Sequence, residues 1–90
     1  MHSSVGQFLE VICNSSGKTR RFAPGVKAGF ALSLINQKLD ADSPLSMYIE
    51  AAKEGEEPII FGPNSLLMNY GEGWKLHTVV FSEGTYISRK

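Results

Sequence analysis

Cys13 and His77 are the residues of this 90-residue chain that could serve as nucleophile and base. The period-two alternation around each decides against the pair. Cys13 follows Leu9 and Val11 onto one face of its strand, whereas His77, between Leu76 and Thr78, points to the other. Side chains on opposite faces of a sheet cannot form a dyad, so Cys13 reads as a buried structural thiol. No two carboxylates have a defined mutual geometry. Glu54, Glu56 and Glu57 crowd a single turn, where a solvated charge run is the ordinary explanation. Gly71-Glu72-Gly73 lacks the further glycine and following helix of a phosphate loop and reads as a tight turn. His2 and His77 are too few and too distant for a metal site, and no cofactor is expected. Asn14-Ser15-Ser16 fits the glycosylation pattern, but nothing else in the chain indicates secretion. The expectation is a protein that binds rather than catalyses.

The strongest binding signal is basic. Lys18, Arg20 and Arg21 fall on one short strand, with Lys27 nearby at the start of a helix. Charges on an edge strand have a plain structural role, since they block edge-to-edge aggregation. The functional reading is an acidic protein segment that docks against that edge or adds a strand to it. Nine basic residues balance nine acidic ones, so no global field draws the chain to nucleic acid or to an anionic membrane. An electrostatic partner must read a local patch.

The elements that position these residues follow from turn chemistry and periodicity. Residues 8–13 form a first strand, Asn14-Ser15-Ser16-Gly17 a turn, and residues 18–23 a second strand that ends at Pro24-Gly25. Residues 26–39 carry the helical pattern, with Val26, Phe30 and Leu34 on one stripe widened by Ala31, Ile35 and Leu39. Gly29 costs that helix about 1 kcal/mol relative to Ala, which points to close packing or a weak first turn. Residues 46–52 form a third strand in which Met47, Ile49 and Ala51 share a core face. Ile59-Ile60-Phe61 form a short buried fourth strand. Residues 65–70 have the pattern of a single helical turn that buries Leu66 or Leu67, and residues 74–81 form the last strand. Thr85-Tyr86-Ile87 could add a short edge strand.

The 42% apolar and 20% charged composition is that of one globular domain, and 90 residues leave no room for two. Its core is placed at about residues 7–81. The single cysteine, the absence of a signal-peptide pattern at residues 1–4 and the shortness of every apolar run favour a cytoplasmic or nuclear protein with no membrane span. One helix must cover one face of a mixed sheet. The fold class expected is therefore α+β: four to five strands packed on one helix in the order ββαβββ. The final strand then runs up the centre beside the first, which is the β-grasp layout.

From about Gln7 to Phe81 the chain resembles the ubiquitin-like family. Gly17-Lys18-Thr19 sits in the first hairpin, Ser65-Leu66-Leu67-Met68-Asn69-Tyr70 is similar to the loop that carries the family's short helix and buried tyrosine, and Leu76-His77 lies on the final strand. The chain ends Ser88-Arg89-Lys90 without the Gly-Gly of conjugated members. The resemblance thus implies a non-conjugated adaptor of the Ras-association kind, binding another protein along a basic second strand, and a monomer. It implies a site at Lys18, Arg20, Arg21 and Lys27, with an apolar patch at Tyr48, Ile49, His77 and Val79. Arg20 stands where the family places an inward aliphatic residue, so either the hairpin register differs or that corner is open. The alternative function is nucleic-acid binding by the same basic residues, with Phe22, Tyr70 or Trp74 as stacking platforms.

Overall fold

A computed structural model describes residues 7–81; the leader at residues 1–4 and the strand expected at Thr85-Tyr86-Ile87 lie outside them. The order is β1 (Leu9–Cys13), β2 (Lys18–Phe22), α1 (Ala28–Gln37), β3 (Ser46–Ala52), β4 (Ile59–Phe61) and β5 (Lys75–Val80). The five strands form a single mixed sheet in the order β2-β1-β5-β3-β4, so the last strand lies beside the first. β1 and β5 run parallel, whereas β1–β2, β3–β4 and β3–β5 are antiparallel. At the first hairpin Gly17 takes a φ of 77° and its N–H donates to the Cys13 carbonyl at 2.7 Å. That backbone conformation is one L residues with side chains rarely adopt.

The helix covers one face of the sheet. Leu9, Val11 and Cys13 from β1, Ile49 and Ala51 from β3, and Leu76 and Thr78 from β5 are buried beneath it. Ala28, Ala31 and Ile35 are its buried residues, so the stripe sits about one residue round from the predicted one. Phe30, expected in the core, is 60% exposed. The cause is close approach. The helix meets the loop at residues 63–65 through small residues, and a Cβ on Gly29 would stand 2.9 Å from the Pro63 carbonyl oxygen. Lys27 occupies the N-cap without a side-chain hydrogen bond. Instead the Ala28 and Gly29 N–H groups donate to the carbonyls of Ser65 (2.8 Å) and Pro63 (2.9 Å), satisfying donors that a helix start leaves open.

β3 departs from simple alternation. A bulge between Ser46 and Tyr48 places Ser46 opposite Val80 and Tyr48 opposite Val79, leaving Met47 as the extra residue. Ser46 takes the inward position and Met47, expected in the core, is 53% exposed. Asn36 fixes this point from the helix: its Nδ2 donates to the Ser46 carbonyl (3.0 Å) and its Oδ1 accepts from the Ser46 N–H (2.8 Å).

Two further expectations are corrected. β4 is an edge strand, so Ile60, opposite Glu50 on the uncovered face, is exposed while Phe61 is buried. Residues 65–70 form no helical turn. The segment is irregular apart from an isolated bridge of Leu66 to Lys27, and Leu67 rather than Leu66 enters the core. Tyr70, at the place of the family's buried tyrosine, is 41% exposed and packs against Phe61 and Trp74. Among the described residues no helix is long and apolar enough to cross a membrane.

Candidate functional site

Among the described residues β2 is an edge strand, with β1 on one side and no strand on the other. The register Val11–Arg20 and Glu10–Arg21 sends the two arginines to opposite faces of the pleat. Arg20 therefore lies on the helix side, at the inward position the resemblance assigns to an aliphatic residue. The corner there is open: Arg20, Phe22, Leu34, Ile35 and Lys38 line a groove of about 540 Å³ between β2 and the C-terminal half of α1. The groove wraps over the strand edge and takes in Arg21 on the far face. It brings together three cations, Arg20, Arg21 and Lys38, beside the apolar surface of Phe22 and Leu34.

Two of the residues expected at this site stand apart from it. Lys18 pairs with Cys13 at the hairpin end of β2, and Lys27 sits at the N-cap of α1; neither lines the groove. Lys38 was not expected there. It follows α1 by one position, and only the folded path of the helix carries it to β2. Arg21 is partly committed already. Its Nε lies 3.4 Å from Glu10 Oε2 and its guanidinium lies 4.6 Å above the Phe8 ring. Both charged partners are well exposed, so this pair contributes little to stability.

The apolar patch expected at Tyr48, Ile49, His77 and Val79 is not assembled as such. Ile49 is 1% exposed and belongs to the core. Tyr48 and Val79 are opposite one another on the face away from the helix, both half-buried. His77 is there too, facing Ile12 on one side and Glu50 on the other. Its Nε2 lies 3.0 Å from Glu50 Oε2, and its Nδ1 lies 2.9 Å from Asn14 Nδ2. Asn14 Nδ2 also donates to the Thr78 carbonyl at 2.7 Å, and the Asn14 N–H donates to Thr78 Oγ1 at 2.9 Å. The amide nitrogen of the glycosylation pattern is thus held in hydrogen bonds to the neighbouring strand, β5. Glu50 and Asn14 complete a polar cluster that the sequence does not announce, because it depends on cross-strand register.

Cys13 is 1% exposed on the helix face, and His77 lies on the other face, so the sheet separates them. Burial pushes the Cys13 thiol up, but hydrogen bonding with Ser16, Ser15 and Thr78 outweighs it and leaves the thiol below its ordinary value. Among the described residues no cluster of His, Cys, Asp or Glu could hold a metal ion.

No family model, curated protein or solved structure matches this chain.

Proposed function

We propose that the chain is a non-catalytic protein-interaction module of β-grasp, ubiquitin-like type, which binds an extended acidic segment of a partner along β2. The strand order, with parallel first and last strands under one helix, supports the β-grasp reading. The convergence of Arg20, Arg21 and Lys38 on a groove at a sheet edge that is unpaired among the described residues carries the functional one. An edge strand offers backbone groups for strand addition. The cations select acidic residues, and the apolar floor of Phe22 and Leu34 accepts an apolar side chain between them.

The nucleic-acid alternative is less well supported. Phe22 lines the basic groove, but Tyr70 and Trp74 line a different cavity, so two of its three stacking platforms lie away from the cations.

Selection from a library of extended acidic peptides, followed by affinity measurement, tests the proposal. Arg20→Glu/Lys38→Glu should weaken the selected peptides by about tenfold or more, equivalent to about 1.4 kcal/mol. Lys27→Glu should leave them unchanged. Equal affinity for wild type and the double variant would remove β2 from consideration.

A further inference from the structure

The parallel pairing of β1 with β5 is short. Among the described residues their parallel pairing is confined to Val11–Leu76 and Ile12–His77. Yet β1 pairs with β2 from Leu9 onward, and β5 pairs with β3 from Lys75 onward. Where the β1–β5 pairing ends, a cleft is lined by Leu9 and Glu10 from the β1 side and by Trp74 and Lys75 from the β5 side. The cleft has a volume of about 490 Å³. That is within the ~300–1,000 Å³ typical of small-molecule sites.

The chemistry of its walls narrows the occupant. Trp74 and Tyr70 give an aromatic wall, with ring centroids 5.6 Å apart and planes inclined at 54°. Asn69 Oδ1 accepts from the Gly71 N–H at 2.8 Å, which leaves the Asn69 amide nitrogen as a donor. The Thr19 hydroxyl and the Lys75 ammonium also line the cavity, and neither has a hydrogen-bonding partner among the described residues. The side-chain polar groups still open to a ligand are therefore chiefly donors.

A cation fits poorly. Glu10, the carboxylate of the lining, already has the Arg21 guanidinium 3.4 Å from its Oε2, and Lys75 adds a further positive charge. A wholly apolar ligand would strip water from donors without replacing its hydrogen bonds. We infer that this cleft binds a small planar heteroaromatic ligand with an acceptor-rich edge, of the purine or pyrimidine kind. Its ring stacks on Trp74 and meets the inclined Tyr70 ring at an angle, and its acceptors face Asn69, Thr19 and Lys75.

Trp74 is the one tryptophan of the chain, so its indole N–H signal in a 15N-correlated NMR spectrum is an unambiguous reporter. The wild-type protein is titrated in parallel with adenine, uracil, tetramethylammonium and cyclohexanol. Adenine or uracil should shift the Trp74 indole and the Asn69 and Lys75 amides saturably. Asn69→Ala should weaken that binding by about fivefold, the loss of one hydrogen bond. Tyr70→Leu should weaken it further. Arg20→Glu/Lys38→Glu should bind these probes as wild type does, so failure at β2 and failure here are separable. No saturable shift with either base overturns the inference. So does an equal or larger response to tetramethylammonium or cyclohexanol, or a response to single-stranded oligoadenylate without one to the free bases.

Discussion

Asn14 fixes the tautomer of His77. Asn14 Nδ2 donates to the Thr78 carbonyl at 2.7 Å, which orients the amide, and the same nitrogen lies 2.9 Å from His77 Nδ1. His77 Nδ1 must therefore accept, and the ring hydrogen of the neutral imidazole sits on Nε2, directed at Glu50. Long-range 15N NMR of the imidazole should show the Nε2–H form in the wild type. Asn14→Ala should weaken that preference, which the Glu50 carboxylate still supports, and lower stability by about 1 kcal/mol in urea unfolding. A dominant Nδ1–H form in the wild type would mean that the amide is turned the other way.

Gly29→Ala should be destabilising although Ala is the better helix former. Intrinsic propensity favours Ala by about 1 kcal/mol. Against that, the new Cβ would meet the Pro63 carbonyl oxygen at 2.9 Å and the Pro63 Cβ at 3.1 Å. Separating helix from loop also stretches the Gly29 N–H bond to that carbonyl. A net loss of about 1–3 kcal/mol is expected. Ser33→Ala, on the exposed face of the same helix, should change stability by less than about 0.5 kcal/mol. Denaturant midpoints compare the two.

Met47 and Ile49 should behave as opposites despite sharing a parity. Ile49→Ala empties a fully buried position and should cost about 2–5 kcal/mol. Met47→Lys, at the extra residue of the bulge, should cost less than about 0.5 kcal/mol. Asn36→Ala, which frees both backbone groups of the buried Ser46, should fall between them at about 2 kcal/mol. Thermal unfolding of the three variants would establish the ranking. A costly Met47→Lys would show that the bulge is absent.

The lowered thiol of Cys13 predicts a pH dependence. A group whose folded-state value lies below its unfolded value adds stability above the unfolded value and loses it as pH falls through the folded one. Stability should therefore rise with pH in the mildly alkaline range, on the approach to the ordinary thiol value, and the rise should be missing in Cys13→Ala. Alkylation by iodoacetamide should still be slow in the native protein, because the sulfur is buried. It should accelerate in Gly29→Ala if opening of the fold controls access.

The strands were legible because they combine alternation with clear stops. Ser46–Ala52 and Ile59–Phe61 fall where the sequence places them, between Pro44 and the Lys53–Pro58 turn and before Gly62-Pro63. The helix stripe was misjudged at Phe30 because apolarity alone marks a core residue, whereas here Ala28, Gly29 and Ala31 set how closely the neighbours approach. Met47 was hidden by a bulge, which shifts register without any change in composition. At the basic surface, Arg20 and Arg21 were visible as neighbours in sequence, but the pleat that divides them and the groove that reunites them belong to the tertiary structure. Lys38, Glu50 and Asn14 gain their meaning from residues far along the chain, and one sequence carries no sign of that pairing.

The capping of α1 by the carbonyls of Pro63 and Ser65 bears on the order in which the chain becomes structured as it is synthesised. A helix of 10 residues without side-chain caps is too short to persist alone. Its first turn is completed by a segment that emerges from the ribosome only after β3 and β4. The nascent chain can thus form its first hairpin early but must hold residues 28–37 unformed, their apolar stripe uncovered, until residue 65 is available. Chains cut short before that point should lose the helix as well as the missing strand, and would be substrates for chaperones and proteases rather than stable half-domains.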